Sequence, residues 1–414
     1  GCSACNDWLT VQPATSILAE DLYTTNDGIK QALNGTYLNM RGVLYNPAGY
    51  MGGGGMAESL ACSWTVSEGN REYDLSNHDY DSDLVESSLS SSFQGFYKII
   101  VTMNDLIQGV ELNKGKISDD VYNIGVGEAH ALRALAHFDL IRLWGPMPTG
   151  IDGNRDYLPY VTTVQLENYP YSNYQEYMTQ LCTDLDSAEL LLQRVDLIVA
   201  NDKSVSYRQN RMNYYAVLAL KARVYLYAGE EAKALAVAHE LLTDSKVDEY
   251  FPAVDPNKLL ANQDNPDRVF STEVLAGIYV KDRADIHTTY FSSEQAGTNY
   301  LHPRKNYVNA NLFAEETQDY RFQSCWRTAS NENEGGYDFI KYEEIAKPTQ
   351  AGETEYFYAV FMSLIRLSEV YYIAAECEPV LADKYEWLNK MRERRGLSAL
   401  TVVSDEDFMK RLRT

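Results

Sequence analysis

Residues 127–148, GEAHALRALAHFDLIRLWGPMP, set two histidines, two arginines and an aspartate into an apolar run. Histidine beside aspartate is the raw material of proton transfer and of metal binding. The spacing argues against both. On a helix His130 and His137 share a face but stand about 10 Å apart along the axis, too far to chelate one ion. Arg133 lies between them and repels a cation. The stripes Ala129-Leu132-Ala136-Leu140-Leu143 and Ala134-Phe138-Ile141 describe a helix buried nearly all round, with polar seams to satisfy. This reading gives the stretch a packing role.

Other candidate chemistry is weaker still. In DYDSD, Asp79, Asp81 and Asp83 alternate as in a calcium loop, but Leu84 stands where glycine is needed and Ser90 where a bidentate glutamate is needed. An EF-hand is excluded, and only a looser calcium site stays open. Cys2 and Cys5 form a CxxC without a second Cys or His pair at ligand spacing. MGGGGM at 51–56 lacks the following GK[ST] of a phosphate loop and reads as flexible loop. No G-x-S-x-G, H-E-x-x-H or dinucleotide fingerprint occurs. The acid pairs Glu315/Glu316 and Glu343/Glu344 read as solvated surface.

Aromatic residues carry more information. Tyr214, Tyr215, Tyr225, Tyr371 and Tyr372 fall on helical stripes and belong to core, whereas Trp64, Tyr73, Tyr290, Tyr300, Tyr307 and Trp326 fall in polar loops. A sugar shows an apolar C–H face ringed by hydroxyls, so its site needs flat aromatic rings beside polar side chains. Trp64 with Asn70, Arg71 and Tyr73 is one such cluster. Tyr290, Asn299, Tyr300, Arg304 and Trp326 form a second.

Composition narrows the classes. The 414 residues hold 36 Lys+Arg against 59 Asp+Glu, a formal charge of −23. That field repels nucleic acid and anionic membrane surfaces. No apolar run reaches the roughly 18 residues of a membrane span. Gly1-Cys2-Ser3 looks like a bacterial lipoprotein junction, with Cys2 as the lipid-bearing residue. Several acyl chains there would give stable anchoring, at about 0.8 kcal/mol per buried methylene.

These residues need a scaffold, and periodicity predicts a helical one. Helices are expected over 16–40, 93–111, 121–144, 173–193, 211–228, 230–243, 356–378 and 384–395, with a last one starting at Ser404. The segment 218–242, LALKARVYLYAGEEAKALAVAHELL, resembles a tetratricopeptide unit: Ala222 and Ala234 allow close helix approach, Gly229 turns the chain and Tyr225 fills the gap. Residues 245–350 are rich in Pro, Asn, Asp, Gly and Tyr, with strand-like runs only at 269–280 and 337–345. Long loops on a rigid scaffold are where binding surfaces are commonly built.

Taken together, these segments resemble the SusD/RagB family of outer-membrane nutrient-uptake lipoproteins of Bacteroidetes. The resemblance rests on Gly127-Glu128-Ala129, Leu132-Arg133-Ala134, His137-Phe138-Asp139-Leu140, Leu143-Trp144-Gly145 and Pro148. It is supported by Cys2 with Asp7-Trp8-Leu9, by LYTT…GIKQALNGTY at 22–37 and by KARVYLYAG at 221–229. Ile365–Tyr371, Ala374-Ala375-Glu376, Leu388-Asn389 and Arg392 through Leu397 follow in family order.

The resemblance implies a mainly α, SusD-like fold of irregular tetratricopeptide-like helix pairs with a loop-rich lobe containing a few short strands. It implies one domain over 1–414, with the helical scaffold at 16–244 and 356–414 and the lobe at 245–355. It further implies a non-catalytic, surface-exposed outer-membrane lipoprotein, without a cofactor. Such a protein captures oligosaccharide or polysaccharide and delivers it to a SusC-like TonB-dependent transporter. Of the functional residues only Cys2 carries over by motif. Members usually continue beyond the Arg-Gly-Leu motif through another helical segment, whereas this chain stops at Thr414.

Two other functions compete. A peptide- or other nutrient-binding member of the same family would bind peptides without sugars. A helical carbohydrate-active enzyme would turn over the glycan it binds and lose activity on removal of one acid.

Overall fold

Polar entry residues and buried stripes set the helix limits. In the computed structural model, residues 22–45, 49–51, 55–196, 206–261, 264–314, 316–346 and 356–413 are described. Cys2, Cys5, Trp8 and residues 52–54 of the glycine run lie outside them. The fold is mainly helical, with only short strands.

Helix entry follows local capping chemistry. The first long helix is Asn26–Leu44. Thr25 Oγ1 accepts the Gly28 N–H at 3.1 Å, which starts this helix at Asn26, so residues 22–25 of the expected 16–40 are not helical and 16–21 lie outside the described residues. Asp83–Leu112 begins ten residues before the expected 93. Its serine-rich first turns are helical because Val85 is fully buried while Ser87, Ser90 and Ser91 face solvent. Asn173 and Glu176 close a capping box on Tyr174–Val195, and Asn213 caps Tyr214–Tyr227 through the Ala216 N–H.

Residues 22–40, the described part of 93–250 and 275–277 form one compact unit. Its centre is the Asp119–Trp144 helix, in which every residue from Ala131 to Ile141 is buried. A side chain at Gly127 would run into Leu192, so glycine lets the Tyr174–Val195 helix approach closely there. Tyr214–Tyr227 and Glu231–Thr243 form the tetratricopeptide-like pair, turned at Gly229 with φ +76°, with Ala222 and Ala234 fully buried.

The described parts of 41–92, 251–274 and 278–414 form the second unit. Leu367–Cys377, Leu381–Glu393 and Asp405–Leu412 pack around Ala375, Tyr385, Leu388 and Phe408. Gly396 adopts φ +75° and stops the second of these helices, and Ser404 Oγ caps the third at the Asp407 N–H. One expectation fails here. The helix expected over 356–378 is a 3-10 turn at Phe357–Ala359, a strand at Phe361–Arg366 and then Leu367–Cys377. The short run FMSLIR, with four buried apolar residues in six, fits a strand as well as a helix, and Phe361 packs on Val269 and Val274.

The loop-rich part of this unit is tied by very short ladders. Trp64–Thr65 pairs antiparallel with His302–Pro303, and Trp326–Thr328 with Tyr337–Phe339. Two- and three-residue strands are marginal alone, so side-chain packing holds them.

Candidate functional site

The ladder from Trp64 to Pro303 joins the two aromatic clusters singled out in the sequence. Trp64 and Trp326 stack, with ring centroids 5.9 Å apart and planes 21° apart. Phe291 lies 5.0 Å from Trp64, and Phe339 lies 5.0 Å from Trp326. Trp64 is 5 % exposed and Trp326 9 %. The Trp64 indole N–H donates to Glu58 Oε1 at 2.6 Å. Both tryptophans are therefore buried in the lobe, with their rings against other aromatics and off its outer surface, and Trp326 also borders an inner cavity.

The other expected residues divide. Asn70 Nδ2 donates to the carbonyls of Ser67 and Thr298 and ties the two loops together. Tyr290 is buried and hydrogen bonds Arg71 and Glu72, and burial raises its hydroxyl pKa. Arg71 also donates to Ser88 at 3.3 Å. Tyr300 donates to Asp338 and accepts from Asn333 at 2.8 Å. These four are braces. Tyr73 and Asn299 are half-buried and Arg304 is exposed, so they face outward. The Tyr73 hydroxyl donates to Glu68 at 3.2 Å, and the Glu68 charge raises its pKa.

Further residues complete this face. Tyr307 donates to Ser63 Oγ at 3.0 Å and sits after Asn306, which adopts φ +62°. Tyr337 donates to Asn309 at 3.2 Å, and Thr65 donates to Glu334. Tyr307 also lines a cleft of about 580 Å³ with Asn311, Glu406, Met409 and Lys410. Half-exposed tyrosines beside Asn, Glu, Lys and Arg form a surface able to stack on sugar rings and hydrogen bond their hydroxyls. Tyr307 already stood out as a loop aromatic. Tyr337, Asn309 and Glu334 gave no signal, because a short ladder brings in the first and long-range side-chain hydrogen bonds the other two.

Asp79, Asp81 and Asp83 are exposed, and the Asp81 N–H donates to Asp79 Oδ1 at 3.2 Å. Among the described residues no group of three or more His, Cys, Asp or Glu is placed to hold a metal ion.

The histidines of the Asp119–Trp144 helix serve packing. His137 is fully buried, its ring 3.8 Å from that of Tyr160. Tyr177 donates to the His137 carbonyl, so its oxygen accepts from His137 Nδ1 at 2.8 Å, while the Val161 N–H donates to Nε2 at 3.2 Å. This fixes a neutral imidazole, and burial lowers its pKa to about 3. His130 and Arg133 converge on Asp184, 2.8 Å from Oδ1 and Oδ2 respectively. Burial opposes ionisation of Asp184, but the hydrogen bonds from Arg133 and His130 outweigh it and hold its pKa at about 2. Glu128 receives Arg208 at 2.6 Å, Arg211 at 3.0 Å and the Tyr37 hydroxyl at 2.8 Å, all buried. Arg208 also forks onto Asp196 at 3.0 and 2.9 Å. Every charge here has a partner, which is what burial of ions requires.

Comparison with known proteins agrees with this architecture. Residues 27–226 match a family model described as starch-binding, associating with outer membrane, and 282–414 match the SusD family. The chain is 27 % identical to SusD-like protein P38 of Formosa agariphila over 55 % of its own length and 40 % of that protein's. It is 22 % identical to SusD-like protein P25 of the same organism over 95 % and 79 % respectively. A SusD superfamily crystal structure from Bacteroides thetaiotaomicron superimposes with a TM-score of 0.68 at 23 % identity, covering 94 % of this chain and 84 % of that one. A laminarin-binding SusD-like protein superimposes with a TM-score of 0.66 at 18 % identity, covering 94 % and 88 %. Among the described residues no helix is long and apolar enough to cross a membrane. The two family matches fall on both units in chain order, and the chain belongs to the SusD/RagB family, whose members are associated with the outer membrane.

Proposed function

We propose that this protein is a non-catalytic, surface-exposed glycan-binding lipoprotein. It captures oligosaccharide or polysaccharide and delivers it to a SusC-like TonB-dependent transporter in the outer membrane, held there by lipid on Cys2. The supporting observation is the loop face: outward Tyr73, Tyr307 and Tyr337, with Asn299, Arg304 and Asn309, braced on the buried Trp64–Trp326 stack. Rigid aromatic and amide groups suit sugar recognition because little side-chain freedom is lost on binding. Asn70, Arg71, Tyr290 and Tyr300 contribute by holding the loops, and the two tryptophans by supporting them.

Calorimetric titration with a polysaccharide panel that includes laminarin and starch tests this reading. Binding of at least one polysaccharide without release of reducing ends supports it. Peptide binding without sugar binding, or turnover of the bound glycan, contradicts it. Copurification with a TonB-dependent transporter, lost when Cys2 and the lipid are removed from the membrane-bound form, tests the delivery role.

A further inference from the structure

Behind the aromatic stack, in the same unit, lies a cavity of about 230 Å³. Trp326, Phe339, Phe270 and Phe313 form apolar wall, and Ser368 and Tyr372 add hydroxyls. Its charged lining is unbalanced: Arg321, Lys341, Arg366 and Arg395 against the single carboxylate of Glu273. Two of these cations are already matched. Arg395 forks onto Glu273 at 3.0 and 2.8 Å, and Arg321 pairs with Asp319 at 2.7 Å. Neither Lys341 nor Arg366 forms an ion pair with a carboxylate among the described residues.

The field of Glu58 reaches both, and its carboxylate is taken up by the Trp64 indole. Burial also raises the Glu58 pKa, which weakens its negative charge. Arg366 is exposed and Lys341 only partly so, which places one cation toward solvent and one further in. Burial, and then the Arg366 charge, push the Lys341 ammonium down to about 7, the response of a cation that lacks an adjacent anion.

We propose that this cavity takes the anionic group of an acidic sugar, a carboxylate or sulfate ester held between Lys341 and Arg366 with the ring against the aromatic wall. The volume is several times the roughly 30 Å³ share of one water, so the space suits a ring-sized group better than a lone oxyanion. Charge-assisted hydrogen bonds from lysine and arginine to an oxyanion are about twice as strong as neutral ones. The inference rests on the glycan-binding reading and narrows its ligand to acidic glycans.

The test is calorimetric titration of the full chain at low salt with D-glucuronic acid, D-glucose 6-sulfate, D-glucose and inorganic sulfate. Both acidic sugars are expected to bind at least about tenfold more tightly than glucose or sulfate. Lys341→Met and Arg366→Gln are each expected to remove about tenfold of that affinity. Arg366 is exposed, so its variant keeps the measurement valid if Lys341→Met unfolds. Equal affinity for glucose, or no binding of either acidic sugar, overturns the proposal. Inorganic sulfate binding as tightly as the sugars overturns the sugar assignment, and indifference to both substitutions overturns the location. A chain that binds neutral polysaccharide but does not prefer acidic sugars loses this inference alone. A chain that binds no glycan at all loses the parent reading.

Discussion

Trp64 stacks on Trp326 with centroids 5.9 Å apart, and the Trp64 N–H is held by Glu58 at 2.6 Å. The contact joins segments distant in sequence and makes the pair a structural support for the loop face.

Trp64→Ala is therefore expected to act on stability first. Truncating a buried tryptophan costs about 3–5 kcal/mol, and here it also leaves the half-buried Glu58 carboxylate without its indole donor. Urea denaturation should show this loss, and Trp326→Ala should behave alike. Tyr73→Ala, on a half-buried and outward side chain, should leave the midpoint nearly unchanged.

Acid should weaken the helical unit in a defined window. Folded His137 has a pKa of about 3 against 6.5 when free, so between those values the unfolded chain binds a proton that the folded chain does not. The stability is fully present above pH 6.5 and is lost as pH falls toward 3, at up to about 1.4 kcal/mol per pH unit. Asp184 adds a second loss as pH falls from 3.8 toward 2, through the folded value. Denaturation midpoints measured from pH 7 to pH 4 should fall, and His137→Gln should flatten that slope.

Glu128 is buried between Arg208 and Arg211. Glu128→Gln removes the charge that compensates both and should cost about 3–5 kcal/mol. Chemical denaturation of the variant checks this. A loss under about 1 kcal/mol, the value of a surface pair, would show that the network is solvated.

Gly396 takes φ +75°, and an added Cβ would lie 2.4 Å from the Tyr320 ring. Gly396→Ala should destabilise by more than about 1 kcal/mol, since both backbone and space resist it. The urea midpoint again reports it, and Gly229→Ala, with positive φ but open space, should cost less.

The helical frame was legible because its signals are local. The spacing of His130 and His137, the turn at Gly229 and the helix start at Ser404 depend on residues a few positions apart. The strand Phe361–Arg366 was not, since a short run with four apolar residues in six fits either periodicity and its packing partners are remote. The candidate face was half legible. Its aromatic and polar composition marked loops that the fold brings together, but which rings point inward depends on two-residue ladders such as Trp64–Pro303. Trp64 and Trp326 therefore looked like ligand platforms and are core, while Tyr337 and Asn309 gave no sign at all.

The most direct measurement of the central claim is calorimetric titration of the polysaccharide panel into the native chain and a Tyr73→Ala/Tyr307→Ala variant, with melting temperatures recorded for both. The account predicts binding of at least one polysaccharide and about tenfold weaker binding by the variant at an unchanged melting temperature. Unchanged affinity in the variant, or no polysaccharide bound by the native chain, would contradict glycan capture on this loop face.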